Sequence, residues 1–192
     1  MTYIINRLTL IVVILLSVFV LAGCSGLFGQ TPREQADQAI SSANKSISEH
    51  NKLFDKARAT YANVKQKIEA GGDPSKEKDN ITQAKNDLMK ARKDLQNAKD
   101  SLGTVNSLDV NPAVKKYASL LSEAMNDQLG AEAKEIQFYS ILEKDPALQN
   151  NRDKALALLS KVGKGYQNAE KAYGKAQNLA DAHPKLIEPA PK

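Results

Sequence analysis

Few side chains in this sequence are equipped for covalent or acid–base chemistry. The 192 residues include one Cys (Cys24), two His (His50 and His183) and no Trp. One Cys allows neither an intrachain disulfide nor a thiolate zinc cluster. Two His leave little material for a His-rich metal site or a Ser-His-Asp triad. His50 falls on the apolar seam of a helical segment, where a bundle metal site would need a Glu-x-x-His pair. Residue 47 is Ile, so the motif is absent. Glu132 and Glu135 form a Glu-x-x-Glu later in the chain. Counting outward from the turns puts His50 level with Leu95 and Ser119, roughly 20 Å along the axis from Glu132. The expectation is therefore a partly buried, hydrogen-bonded His50, with no metal and no cofactor. Gly163-Lys164-Gly165 lacks the Gly-x-x-x-x-Gly-Lys-Ser/Thr spacing, and the preceding strand, of a phosphate loop. No nucleophile–base pair or carboxylate pair shows a catalytic spacing, so no enzyme activity is expected.

That leaves Cys24, and its context is specific. Met1 to Arg7 is a short polar stretch with one cation, followed by a predominantly apolar run of 13 residues from Leu8 to Val20. A comfortable membrane span takes about 20. The run ends in Leu21-Ala22-Gly23-Cys24. This resembles the lipobox of prokaryotic lipoproteins. The resemblance implies that residues 1–23 are a signal peptide, that Cys24 carries a diacylglyceryl group with palmitate-type chains, and that Cys24 becomes the new N-terminus. It also implies that Ser25, in place of Asp, sends the protein to the outer membrane of a double-membraned cell. In a single-membraned cell it would face outward from the plasma membrane. The other reading is an uncleaved N-terminal anchor helix with Cys24 a bystander. Either way the rest of the chain is extracytoplasmic. Cleavage would leave 169 residues and, by removing Arg7, lower the formal charge from +5 to +4. An acylated sulfur also explains a lone Cys in an oxidising compartment.

Downstream of a tether at 24–30, the elements are set by punctuation and period. Thr31-Pro32, Asp73-Pro74, Asn111-Pro112 and Asp145-Pro146 each place Pro after a capping residue, which marks a helix start. Glu34 adds the acid of a capping box. Gly71-Gly72 and Gly103 supply stops, and the third helix must stop near Glu143. Apolar residues recur at alternating steps of three and four. The first helix gives Ala36, Ile40, Ala43, Ile47, His50, Phe54, Ala57, Tyr61, Val64 and Ile68. The second runs from Ile81 to Leu102, and the third through Val114, Leu121, Leu129, Ile136 and Tyr139. The fourth runs through Ala155, Leu159, Val162, Tyr166, Ala169, Tyr173 and Ala180. Sustained spacing of this kind is the pattern of coiled-coil-like packing. Short turns at 71–73 and 143–145 force antiparallel neighbours. The predicted fold is an all-α, elongated, antiparallel four-helix bundle over 31–182, with the seam tyrosines directing hydroxyls to its rim. Residues 183–192, rich in Pro, are expected to be disordered.

Charge divides unevenly among these helices. Arg152–Lys175 holds six Lys/Arg and two acids, whereas Ala113–Glu143 holds three Lys and five acids. One reading is that the fourth helix leans on the third through complementary rims. The other is that a basic face meets anionic lipid or polymer at the envelope. Export and the absence of aromatics interleaved with cations argue against nucleic acid. The expected function is that of a lipid-anchored structural or interaction module with a partner protein in the cell envelope. Two alternatives are a bundle binding a small ligand, lipid or metal, and an envelope spacer attached through Lys192. The terminal lysine resembles that of murein lipoproteins, which join peptidoglycan through theirs.

Overall fold

The computed structural model describes residues 29–184. The expected signal peptide, Cys24 and most of the tether, and the tail from residue 185 lie outside the described residues. The chain forms four long helices: α1 (Pro32–Glu69), α2 (Lys78–Val105), α3 (Pro112–Lys144) and α4 (Arg152–Ala182). No strand occurs among the described residues. α1 packs along α2, α2 along α3, and α3 along α4. The backbones of α1 and α4 approach less closely, and large side chains bridge them. The fold is the all-α bundle the periodicity predicts.

Local chemistry accounts for the ends. At Thr31 the capping box is complete: its hydroxyl accepts from Glu34 N, while the Glu34 carboxylate accepts from Thr31 N. Pro74 opens a single 3-10 turn (Pro74–Glu77) before α2 proper. Asn111 accepts from Ala113 N and caps α3. Gly71, at φ 87°, takes the left-handed conformation that ends α1.

Two expected boundaries are corrected. Gly103 does not stop α2, which continues to Val105. Asp145-Pro146 does not start α4. Asp145 instead closes α3, and its carboxylate accepts from the backbone N–H groups of Gln149, Asn150 and Asn151. With its oxygens committed to the loop, and with Leu148 at φ 52°, helix resumes only at Arg152.

α1 keeps a strict seven-residue period, burying Ala36, Ala43, His50, Ala57 and Val64. α3 touches two neighbours and buries a broader face that includes Ala131, Glu132, Glu135 and Phe138. On α4 the buried leucine is Leu158, and Leu159, expected on the seam, is 39% exposed. Ile136 and Tyr173 are only half-buried.

The largest correction concerns register. Ser119 Oγ donates to Asn106 Oδ1 (3.1 Å) and Lys99 Nζ to Asn126 Oδ1 (3.2 Å). Both pairs are centred on the Pro112–Ala113 bond, not on residue 107. After α2 ends, i to i+3 bonds from Ser107 N to Thr104 O and from Leu108 N to Val105 O carry the chain onward. It reverses only at Pro112. That shifts α3 by about three helical turns from the expected level and brings Glu132 opposite His50.

The glycines of α4 separate two roles. A Cβ on Gly165 would lie 2.8 Å from Ala131 Cβ and 3.2 Å from Ala131 Cα, whereas a Cβ on Gly163 would meet nothing within 4 Å. Gly165 therefore lets α4 approach α3. Gly163→Ala is expected to stabilise the bundle by about 0.5–1 kcal/mol through helix propensity. Gly165→Ala should lose about 1–3 kcal/mol through overpacking. Urea unfolding midpoints check the pair, and equal effects would refute the assigned roles.

Candidate functional site

A polar layer crosses the core and separates two apolar clusters. One cluster spans Ala36–Ile47, Leu95–Leu129 and Tyr173–Ala180. The other spans Leu53–Ile68, Ile81–Ala91, Ala131–Leu148 and Ala155–Tyr166. Between them His50 Nε2 and Glu132 Oε1 are hydrogen-bonded at 2.8 Å, with the two side chains 1% and 0% exposed. His50 Nδ1 faces Asn51 Oδ1 at 2.9 Å. Gln128, one turn before Glu132, donates to the same Oε1 at 3.0 Å, and its carbonyl accepts from Tyr173 OH at 2.9 Å. Three helices thus meet in one chain of hydrogen bonds. The second carboxylate oxygen, Glu132 Oε2, is buried without a partner, so the layer is held at a cost.

A second carboxylate sits one turn on. Glu135 accepts from Tyr139 OH (2.9 Å) and Tyr166 OH (2.6 Å) and lies 3.5 Å from Arg58 Nη2. The Arg58 guanidinium stands over the rings of Phe54 (4.5 Å) and Tyr166 (4.7 Å), an attractive cation–π arrangement. Phe54 in turn stacks on His50 at 5.2 Å. Burial is the largest single influence and works against the charge on Arg58, but Glu135, Tyr166 and Tyr139 together outweigh it and make the guanidinium more basic than usual.

The same surroundings suppress the acidity of the phenols. Burial first, then the Glu135 carboxylate, pushes Tyr139 and Tyr166 well above the ordinary tyrosine range. Burial and Glu132 raise Tyr173, and burial with Glu135 and Glu69 pushes Tyr61 up to about 12. These shifts run opposite to what a tyrosine nucleophile or base would need. The hydroxyls of Tyr139 and Tyr166 also point inward to Glu135, not to the rim as expected.

Sequence reasoning singled out His50, Glu132 and Glu135 but held His50 apart from the two acids, and the structure brings all three into one region. It missed Arg58 and Gln128. The available signal for Arg58 was its place four residues after Phe54 and eight after His50, on one helical stripe. Among the described residues no group of three His, Cys, Asp or Glu side chains could hold a metal ion.

Outside the core, charged pairs tie neighbouring helices. Asp87, 2% exposed, accepts from Gln83 Nε2 and pairs with Lys56 Nζ at 3.1 Å. Burial alone would raise its carboxyl; the bonds from Gln83 and Lys56 overcome that and hold it below the usual range. Lys85 pairs with Glu143 across α2 and α3. The complementary rims expected between α3 and α4 reduce to Lys175 and Glu123, both exposed and 4.0 Å apart. Glu132 and Glu135 are turned inward and Glu143 faces α2, so few α3 acids remain for α4.

No protein-family model matches this chain, and neither a curated protein nor a solved structure does.

The raised tyrosines fix the alkaline limb of stability. An unfolded phenol ionises near pH 10. The folded phenols keep their protons to higher pH, so above pH 10 the unfolded state binds fewer protons and stability falls as pH rises. The expected slope is about 1.4 kcal/mol per pH unit for each tyrosine ionised only when unfolded. Ultraviolet titration of folded and urea-unfolded protein checks this. Ionisation of all the tyrosines near pH 10 in the folded state would contradict it.

Proposed function

We propose that the chain is a lipid-anchored, extracytoplasmic lipoprotein whose helical bundle acts as a structural or protein-interaction module of the cell envelope. The observation that carries this reading is Leu21-Ala22-Gly23-Cys24, which ends an apolar run and contains the chain's only Cys. In this reading Cys24 holds the acyl chains and a short tether leads to the capping box at Thr31. Seven residues reach at most about 25 Å, which keeps the bundle close to the membrane. Among the described residues no helix is long and apolar enough to cross a membrane, and attachment is assigned to the acyl chains. The bundle supports a scaffolding role through its interior, where His50, Glu132, Gln128 and Tyr173 bond one another and the phenols are held protonated.

Replacing Cys24 with Ser and following the protein by metabolic acyl labelling and mass tests the anchor. The expected outcome is an unprocessed precursor without label. Normal processing and labelling of the Cys24→Ser chain would refute the assignment.

A further inference from the structure

The rim of α4 that turns toward α3 carries a row of cations of which only Lys175 pairs within the bundle. At 3.6 residues per turn, Lys154, Lys161, Lys164, Lys171 and Lys175 fall within an arc of about 100°. All five are exposed. Lys175 reaches Glu123 of α3 and Gly165 abuts Ala131 of α3, which fixes the side of the bundle on which the arc lies. Lys134 of α3, half-buried and donating to Gly130 O, adds a cation near the level of Gly165. Acids occur at its ends: Asp153 beside Lys154, with Glu123 and Asp127 near Lys175. In the middle, Lys161, Lys164 and Lys171 have no carboxylate within 4 Å among the described residues. The row from Lys154 to Lys175 is about 32 Å long.

We infer that this face rests on a bilayer surface of anionic phospholipid, with the bundle lying flat beside its own anchor. The inference rests on the lipoprotein reading of Cys24. The residues between the lysines are Ala157, Ser160, Gln167 and Asn168, with no aromatic and no Arg. Lysine ammonium groups are hydrated point charges without the planar fork that reads a shaped ligand, and such a row suits a diffuse negative surface. The tether makes the encounter intramolecular. Its reach of about 25 Å exceeds the thickness of two packed helices, roughly 20 Å, so a row parallel to the bundle axis can be laid on the membrane from an anchor at α1. Attraction of this kind weakens as salt screens it.

The chain has no Trp, so one introduced Trp reports its own position. Asn168→Trp marks the basic face and Ala59→Trp the exposed outer side of α1. The acylated proteins, purified from membranes, are reconstituted into brominated phosphatidylcholine vesicles with or without phosphatidylglycerol. The expected result is roughly two-fold stronger quenching of Asn168→Trp in the anionic vesicles, reversed by salt and by Lys161, Lys164 and Lys171→Glu. Ala59→Trp should not respond. Equal quenching at the two positions, or no dependence on lipid charge, would overturn the inference. So would a response of Asn168→Trp to soluble linear polyphosphate but not to vesicles, which would assign the face to an anionic polymer. Mass separates the two readings: a chain without added acyl mass overturns the anchor alone. Flotation of that unanchored chain with anionic vesicles then supports the face, and its failure to float overturns the face as well.

Discussion

The hydrogen bond between His50 and Glu132 is the constraint on which the rest of the bundle depends. A carboxylate with no exposed surface must be met by donors, because burying it unpaired costs several kcal/mol. The alignment of α1 on α3 brings His50 to the oxygen that Gln128 serves from within α3, and it also places Arg58 beside Glu135. Sliding either helix by one turn would take His50 away from Glu132 and Arg58 away from Glu135. The apolar clusters above and below the layer contribute most of the burial, but their alanine-rich seams would tolerate several registers. The polar layer selects among them.

That division of labour explains what was legible in the sequence. The four helices, the capping of α1 and α3, and the seam of α1 followed from Pro position and a period that α1 keeps without interruption. The seam of α3 was less legible because a helix with two close neighbours buries positions that a single-stripe pattern treats as rim. The meeting of His50 with Glu132 was not legible. It depends on how far the chain advances between Asn106 and Asn111 before reversing, and sequence patterns do not encode a loop's axial travel. Asp145 misled for a related reason: the same side chain can cap a helix or hold the amides of a loop, and Leu148 in a left-handed conformation decides for the loop.

Interior and exterior serve different ends. Inside, bonds among carboxylates, phenols, His50 and Arg58 tie α1, α3 and α4 together across the side where α1 and α4 backbones stand apart, although Glu132 Oε2 and Arg58 Nε stay without partners. Outside, Asp87 with Lys56 and Lys85 with Glu143 consume charge between helices, whereas on α4 Lys161, Lys164 and Lys171 are left to solvent. A stiff, register-locked rod with one unneutralised edge is suited to presenting a surface at a fixed place. The short segment between Cys24 and Thr31 gives that place physical meaning if the cysteine is acylated.

The central claim is energetic coupling between His50 and Glu132, and a double-mutant cycle measures it directly. Urea unfolding would compare the parent with His50→Leu, Glu132→Met and the two combined. Each single change leaves a polar partner buried and should cost about 3–5 kcal/mol. The combined change should recover part of that loss, giving a coupling of about 1–3 kcal/mol. Losses that add to within about 0.5 kcal/mol would contradict the account.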